Sequence, residues 1–94
     1  MTFPFIEKRL EDGSRIRTFS DDVGAEELVW HRDAEDRSIR VLQSSDWYFQ
    51  VDDQLPVKMK NDDVFFIPKK TWHRVIRKGD SPLVVEIVTA EDQL

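Results

Sequence analysis

Apolar and polar residues alternate along this chain in short runs, and nowhere do apolar residues keep the three-and-four spacing of a long amphipathic helix. Residues 15–19 alternate with period two, and residues 47–51, 64–67, 72–77 and 83–88 are rich in β-branched and aromatic side chains. These runs predict strands. Further strands are expected over 3–8, where Pro4 suits an edge position, and over 27–33, 38–43 and 55–59. Between them lie turn signals: Asp12-Gly13 in 11–14, Gly24 in 21–24, the polar stretches 34–36 and 44–46, Asp52-Asp53, and Gly79 and Pro82 in 78–82. Residues 90–94 read as a polar, frayed tail. About eight or nine short strands at regular spacing, without helices, predict an all-β sandwich or barrel.

Composition narrows the class. Ninety-four residues suit one domain, and a chain this small must keep its core compact or share it with a second copy, which favours a homodimer. Hydrophobic residues at 39% and charged residues at 35% suit a soluble globular protein. Fourteen basic against 19 acidic side chains give a net charge of −5, and the basic residues are scattered, so a nucleic-acid partner is not expected. No cysteine is present, which excludes disulfides and thiolate zinc sites and is compatible with a reducing cytoplasm. No apolar run approaches the roughly 20 residues that span a bilayer, and no signal-peptide pattern opens the chain. The expectation is a cytoplasmic protein with no membrane partner.

The candidate chemistry gathers on the only two histidines, His31 and His73. Residues two apart on a strand share a face, so His31 points the same way as Asp33 and Val29. His73 shares its face with Thr71 and Val75, whereas Trp72, Arg74 and Ile76 face the other way. One histidine on each of two partly apolar strand faces is the pattern of a barrel lumen that contains a polar site. Trp30, Trp47 and Trp72 read as core or dimer-face residues rather than pocket walls, because aromatic side chains dominate burial in small barrels. Asp52-Asp53 and Lys69-Lys70 read as turns. Glu86 reads as a surface residue.

In this arrangement the chain resembles the cupin family of small jelly-roll (double-stranded β-helix) barrels, many of which hold a metal in the lumen. The family's second motif orders glycine, proline, glycine and histidine, and these positions carry Asp62, Pro68, Lys70 and His73. Asp63 stands where an aspartate often follows the first glycine. The first motif orders two histidines, a glutamate and a glycine, and these positions carry His31, Asp33, Arg37 and Ser44. The resemblance covers roughly residues 25 to 88, which would leave strands 3–19 to extend a sheet or enter a dimer interface. It departs from the pattern at the three glycines and at two of the four metal-ligand positions.

Two readings of these positions stay open. In the first, His31, Asp33 and His73 bind a divalent metal such as Fe, Zn, Mn or Ni; two imidazoles and a carboxylate suit ferrous iron. In the second the site is metal-free, and Asp33 pairs with Arg37 in its place. A cation roughly 6 Å from a divalent ion is repelled by about 5 kcal/mol at an effective dielectric near 20, so Arg37 opposes a metal unless Asp33 offsets it. Arg37 could equally orient an anionic ligand, and Tyr48 or Gln50, near the expected mouth, could orient a small-molecule substrate. The functions implied are a metal-dependent enzyme acting on a small molecule (a dioxygenase, isomerase or lyase), a metal-free ligand-binding protein, or a structural scaffold.

Overall fold

The structure is a computed structural model that describes residues 5–20 and 30–89. Eight strands follow one another in these residues: β1 (Phe5–Arg9), β2 (Arg15–Phe19), β3 (Arg37–Gln43), β4 (Trp47–Val51), β5 (Val57–Lys58), β6 (Val64–Ile67), β7 (His73–Arg77) and β8 (Leu83–Thr89). They form a five-stranded sheet in the order β1-β2-β8-β3-β6 and a three-stranded sheet in the order β5-β4-β7. Every pairing is antiparallel. The all-β, jelly-roll expectation is met. Among the described residues no helix is long and apolar enough to cross a membrane.

The core lies between the two sheets. Strand β8 is paired on both edges and alternates strictly, burying Leu83, Val85, Ile87 and Thr89. Val41 from β3 and Ile67 from β6 join them from the same sheet, and Trp47, Phe49 and Met59 close over them from the other side. Trp47 satisfies its one polar group by donating its indole N–H to the Ser81 carbonyl at 2.7 Å. The inward parity continues into β2. Arg15 and Arg17 lie opposite Ile87 and Val85, and directly opposed residues share a face, so both arginines start from the barrel side of the sheet.

Two expected strands are shorter than predicted. Only Val57–Lys58 of 55–59 pairs. Of 27–33, residues 27–29 lie outside the described residues, and the remainder makes a single bridge, His31 to His73. Expectations for Pro4, for 21–24 and for 90–94 also lie outside the described residues.

Candidate metal centre

That single bridge sets the site. His31 N–H donates to the His73 carbonyl at 3.0 Å, and His73 N–H donates back to the His31 carbonyl at 2.9 Å. The two histidines are thus a directly opposed pair whose side chains leave on one face. Their rings meet edge-on with centroids 4.3 Å apart. The chain then turns from His31 towards β3, and the β6–β7 turn holds this passage. Lys70 N–H donates to the Asp33 carbonyl at 2.7 Å, and Lys69 N–H to the Asp36 carboxylate, also at 2.7 Å. Asp33 is therefore anchored by the turn that follows Pro68.

His31, Asp33 and His73 each offer a ligand atom, and these atoms all lie within 4.8 Å of one another. His73 is buried, Asp33 is half-buried and His31 is exposed, so the group sits at the mouth of the barrel and not deep inside it. Phe49 walls the buried side, its ring 5.9 Å from that of His73. The Nδ1 atom of His73 is 2.7 Å from the Thr71 carbonyl. A carbonyl can only accept, so Nδ1 carries a proton and Nε2 is the ring atom that faces Asp33. Nε2 faces Asp33 Oδ2 at 3.3 Å, and Oδ2 is buried with no other partner. A proton on Nε2 or a cation between the two atoms would join them. Burial raises the pKa of Asp33, but His73, Arg37 and His31 outweigh it, and the carboxyl titrates below the usual carboxylate range.

Arg37 approaches from the far side. Its Nη1 lies 3.5 Å from Asp33 Oδ1 and its Nη2 lies 3.3 Å from Glu35 Oε1. The expected Asp33–Arg37 pair is thus present, shared with Glu35, and uses the Asp33 oxygen that does not face His73. Tyr48 and Gln50 do not join this group. They alternate with buried Trp47 and Phe49 on β4 and so project from the opposite face. Gln50 there accepts from Arg74 Nε at 2.9 Å and donates to the Gln54 carbonyl. The expectation that they orient a ligand in the lumen fails on this parity.

The same outer face carries a reciprocal ladder next to the histidine bridge. Arg74 stacks over the Trp30 ring, 4.7 Å from its centroid, and Arg32 over the Trp72 ring at 5.1 Å. Trp30 and Trp72 remain 36% and 43% exposed, so neither is core, whereas Trp47 is fully buried. Sequence reasoning missed Arg15 and Arg17 as lumen residues. The available signal was Phe19: the aromatic residue that must pack inward shares their parity on β2.

Position φ angles explain two departures from the motif pattern. Asp62 and Lys70, which stand where the family motif has glycine, adopt φ of 73° and 61°. These backbone positions require the left-handed region that glycine enters freely, and the chain occupies it with side chains attached.

Comparison with known proteins agrees with this architecture. The family model described as Cupin domain matches residues 18–89. Comparison of the sequence with curated proteins gives no match. Among solved structures, a cupin domain from Bordetella pertussis Tohama I aligns with a TM-score of 0.64 at 19% identity, over 95% of this chain and 97% of that one. KdgF from Halomonas sp. aligns with a TM-score of 0.70 at 16% identity, over 100% of this chain and 89% of that one. FeII HppE aligns with a TM-score of 0.62 at 14% identity, over 81% of this chain and 41% of that one. At such identities the structural likenesses speak for the fold, and the family match over most of the chain agrees with them: this chain belongs to the cupin family.

Proposed function

We propose that this cupin binds a divalent metal ion on His31, Asp33 and His73 and presents it, at the open mouth of the barrel, to a small-molecule ligand. The observation that carries this reading is the 3.3 Å approach of His73 Nε2 to the buried Asp33 Oδ2, which has no other partner. That separation suits two atoms sharing one ion at ligand distances near 2.1 Å. The Nδ1–H to Thr71 bond supports it further, since metal-binding histidines characteristically donate their other ring N–H to a carbonyl or carboxylate. Two imidazoles and one carboxylate suit ferrous iron, with zinc, manganese and nickel as competitors. Iron gains support from the fold's likeness to FeII HppE. A bound divalent cation would act there as a Lewis acid towards an oxygen of the ligand. The exposed side of His31 leaves that direction open to solvent.

The test is elemental analysis after reconstitution of chelator-free protein with each of the four metals. Near-stoichiometric binding that is lost in His73→Ala supports the reading, and no retained metal from any of the four ends it. A second reading is favoured by the Arg37–Asp33 contact at 3.5 Å: a metal-free ligand-binding barrel in which the arginine supplies the positive charge. The two diverge in Arg37→Gln. Metal affinity rises there if an ion binds, because a competing cation is gone. The fold is destabilised, with metal content unchanged at zero, if none does.

The same reading takes the chain as one cytoplasmic domain that forms a homodimer. The lack of cysteine suits a reducing compartment. The outer side of edge strand β6 leaves Val64 and Phe66 exposed, apolar surface that a second copy could share. Sedimentation at about twice the chain mass supports the dimer, and a monomer mass across micromolar concentrations removes it.

A further inference from the structure

Beyond the metal ligands, the barrel wall holds an excess of guanidinium groups. Arg15 and Arg17 enter from β2, opposite buried Ile87 and Val85. Arg37 enters from β3, opposite Ile67 and Thr89, both also buried. Arg17 is held by Glu7 at 2.6 Å and lies over the Phe5 ring at 3.8 Å. Burial pushes the Arg17 guanidinium below its usual value; Glu7 pulls it back, and the charges of Arg37 and Arg15 push it down again, so Arg17 senses both of the other cations. Arg37 divides its two terminal nitrogens between Asp33 and Glu35. Among the described residues no carboxylate lies within ion-pair distance of Arg15. The Nε–H groups of Arg15 and Arg37 are both buried without an acceptor. A buried charged donor without a partner is a rare arrangement, and it marks a place where an acceptor belongs.

The charge balance points the same way. Three guanidinium groups face three carboxylates, those of Glu7, Asp33 and Glu35. A divalent cation on the histidine site would leave this wall with a surplus of positive charge that only an anionic ligand offsets.

We propose that the lumen contains an oxyanion subsite in which the free Nε–H groups of Arg15 and Arg37 bind a carboxylate or phosphate group of the small-molecule ligand. Arg17, fixed by Glu7 and Phe5, adds charge beside it. The planar donor fork of arginine matches the oxygens of both anion types, and a neutral ligand would leave the two donors unsatisfied. This deepens the reading of the barrel mouth as a ligand site and rests on it for the ligand's location, while its donors stand apart from the three metal ligands.

The test follows the arginine Nε–H resonances of the wild-type protein by NMR, so that it does not depend on a variant folding. Malonate and inorganic phosphate are added separately at constant ionic strength, with chloride as the balancing ion, to metal-free and metal-loaded protein. Assignment uses Arg15→Gln and Arg37→Gln. Saturable shifts of the Arg15 and Arg37 signals by either probe are expected, with affinity at least about tenfold weaker in each variant, which is one lost charge-assisted contact. Malonate alone would identify a carboxylate ligand and phosphate alone a phosphoryl one. Shifts in a protein that retains none of the four metals on reconstitution would retire the metal site and keep the subsite. Stoichiometric metal with both arginine signals unmoved by either probe, in both forms, would overturn the subsite and leave the metal site standing.

Discussion

Asp33 is the residue on which the competing demands of this molecule meet. One oxygen faces His73 Nε2, the other faces Arg37, and its main-chain carbonyl takes the Lys70 N–H. Its carboxyl titrates lower in the folded protein than in the unfolded chain, so folding favours the ionised form. The sign follows directly: the stability it contributes is present above the unfolded carboxylate pKa, near 4, and is lost as pH falls through the lower folded value. Urea denaturation of the metal-free protein between about pH 6 and 2 should therefore show stability declining in the acid range, more gently in Asp33→Asn. Equal slopes would mean that the carboxylate is not stabilised by its neighbours. Lys70 offers a second test, because its φ of 61° carries a side chain where glycine would be unstrained. Lys70→Gly should raise stability by about 1 kcal/mol, measured by the same denaturation, while its backbone bond to Asp33 is retained. These roles were unequally legible. Period-two parity was enough to put His31 with Asp33 and to turn Trp72 away. It could not say which oxygen of Asp33 would face which partner, because that depends on a turn almost forty positions later.

The 30–33 segment reaches the site as an outlying piece of strand, held to β7 by one pair of backbone hydrogen bonds. The Trp30–Arg74 and Arg32–Trp72 stacks flank that pair on the opposite face. They grip the segment from the face opposite the proposed metal ligands. Such contacts contribute about 0.5–1 kcal/mol each at exposed positions. Trp72→Ala should therefore weaken metal binding roughly two- to fivefold by loosening His31, with His73 and Asp33 unchanged, as read by competition with a chromophoric chelator. An unaltered affinity would show that the bridge alone positions His31. The alternation of 72–77 predicted that the tryptophan faces outward, but not that an arginine from a separate segment would lie over it. Likewise, β4 was legible as a strand while its phase was not: Trp47 and Phe49 claimed the inside, and Tyr48 and Gln50 were left outside.

Across the whole barrel, β8 is the strand on which the others depend, since β2 and β3 both pair with it and its inner face supplies three of the eight buried core residues. Ile87 is buried opposite both Arg15 and Ile39. Ile87→Ala should cost about 2–5 kcal/mol in thermal or chemical denaturation, at the upper end if the arginine beside it cannot relax into the space. A loss below about 1 kcal/mol would mean that the core repacks freely. The jelly-roll class and the shared site of two remote histidines rested on the family resemblance, whereas the strand content and the all-β class could be read from local alternation, because period two and turn chemistry are properties of neighbouring residues. Which charges share the lumen could not. Arg15 and Arg17 come from a strand whose alternation alone allows either face inward; Phe19 hinted at the phase, and the register against β8, which seats it beside Leu83, turns both arginine side chains towards the barrel. Local pattern decides what a segment becomes; which chemistry it brings to the site depends on side-chain packing between segments distant along the chain.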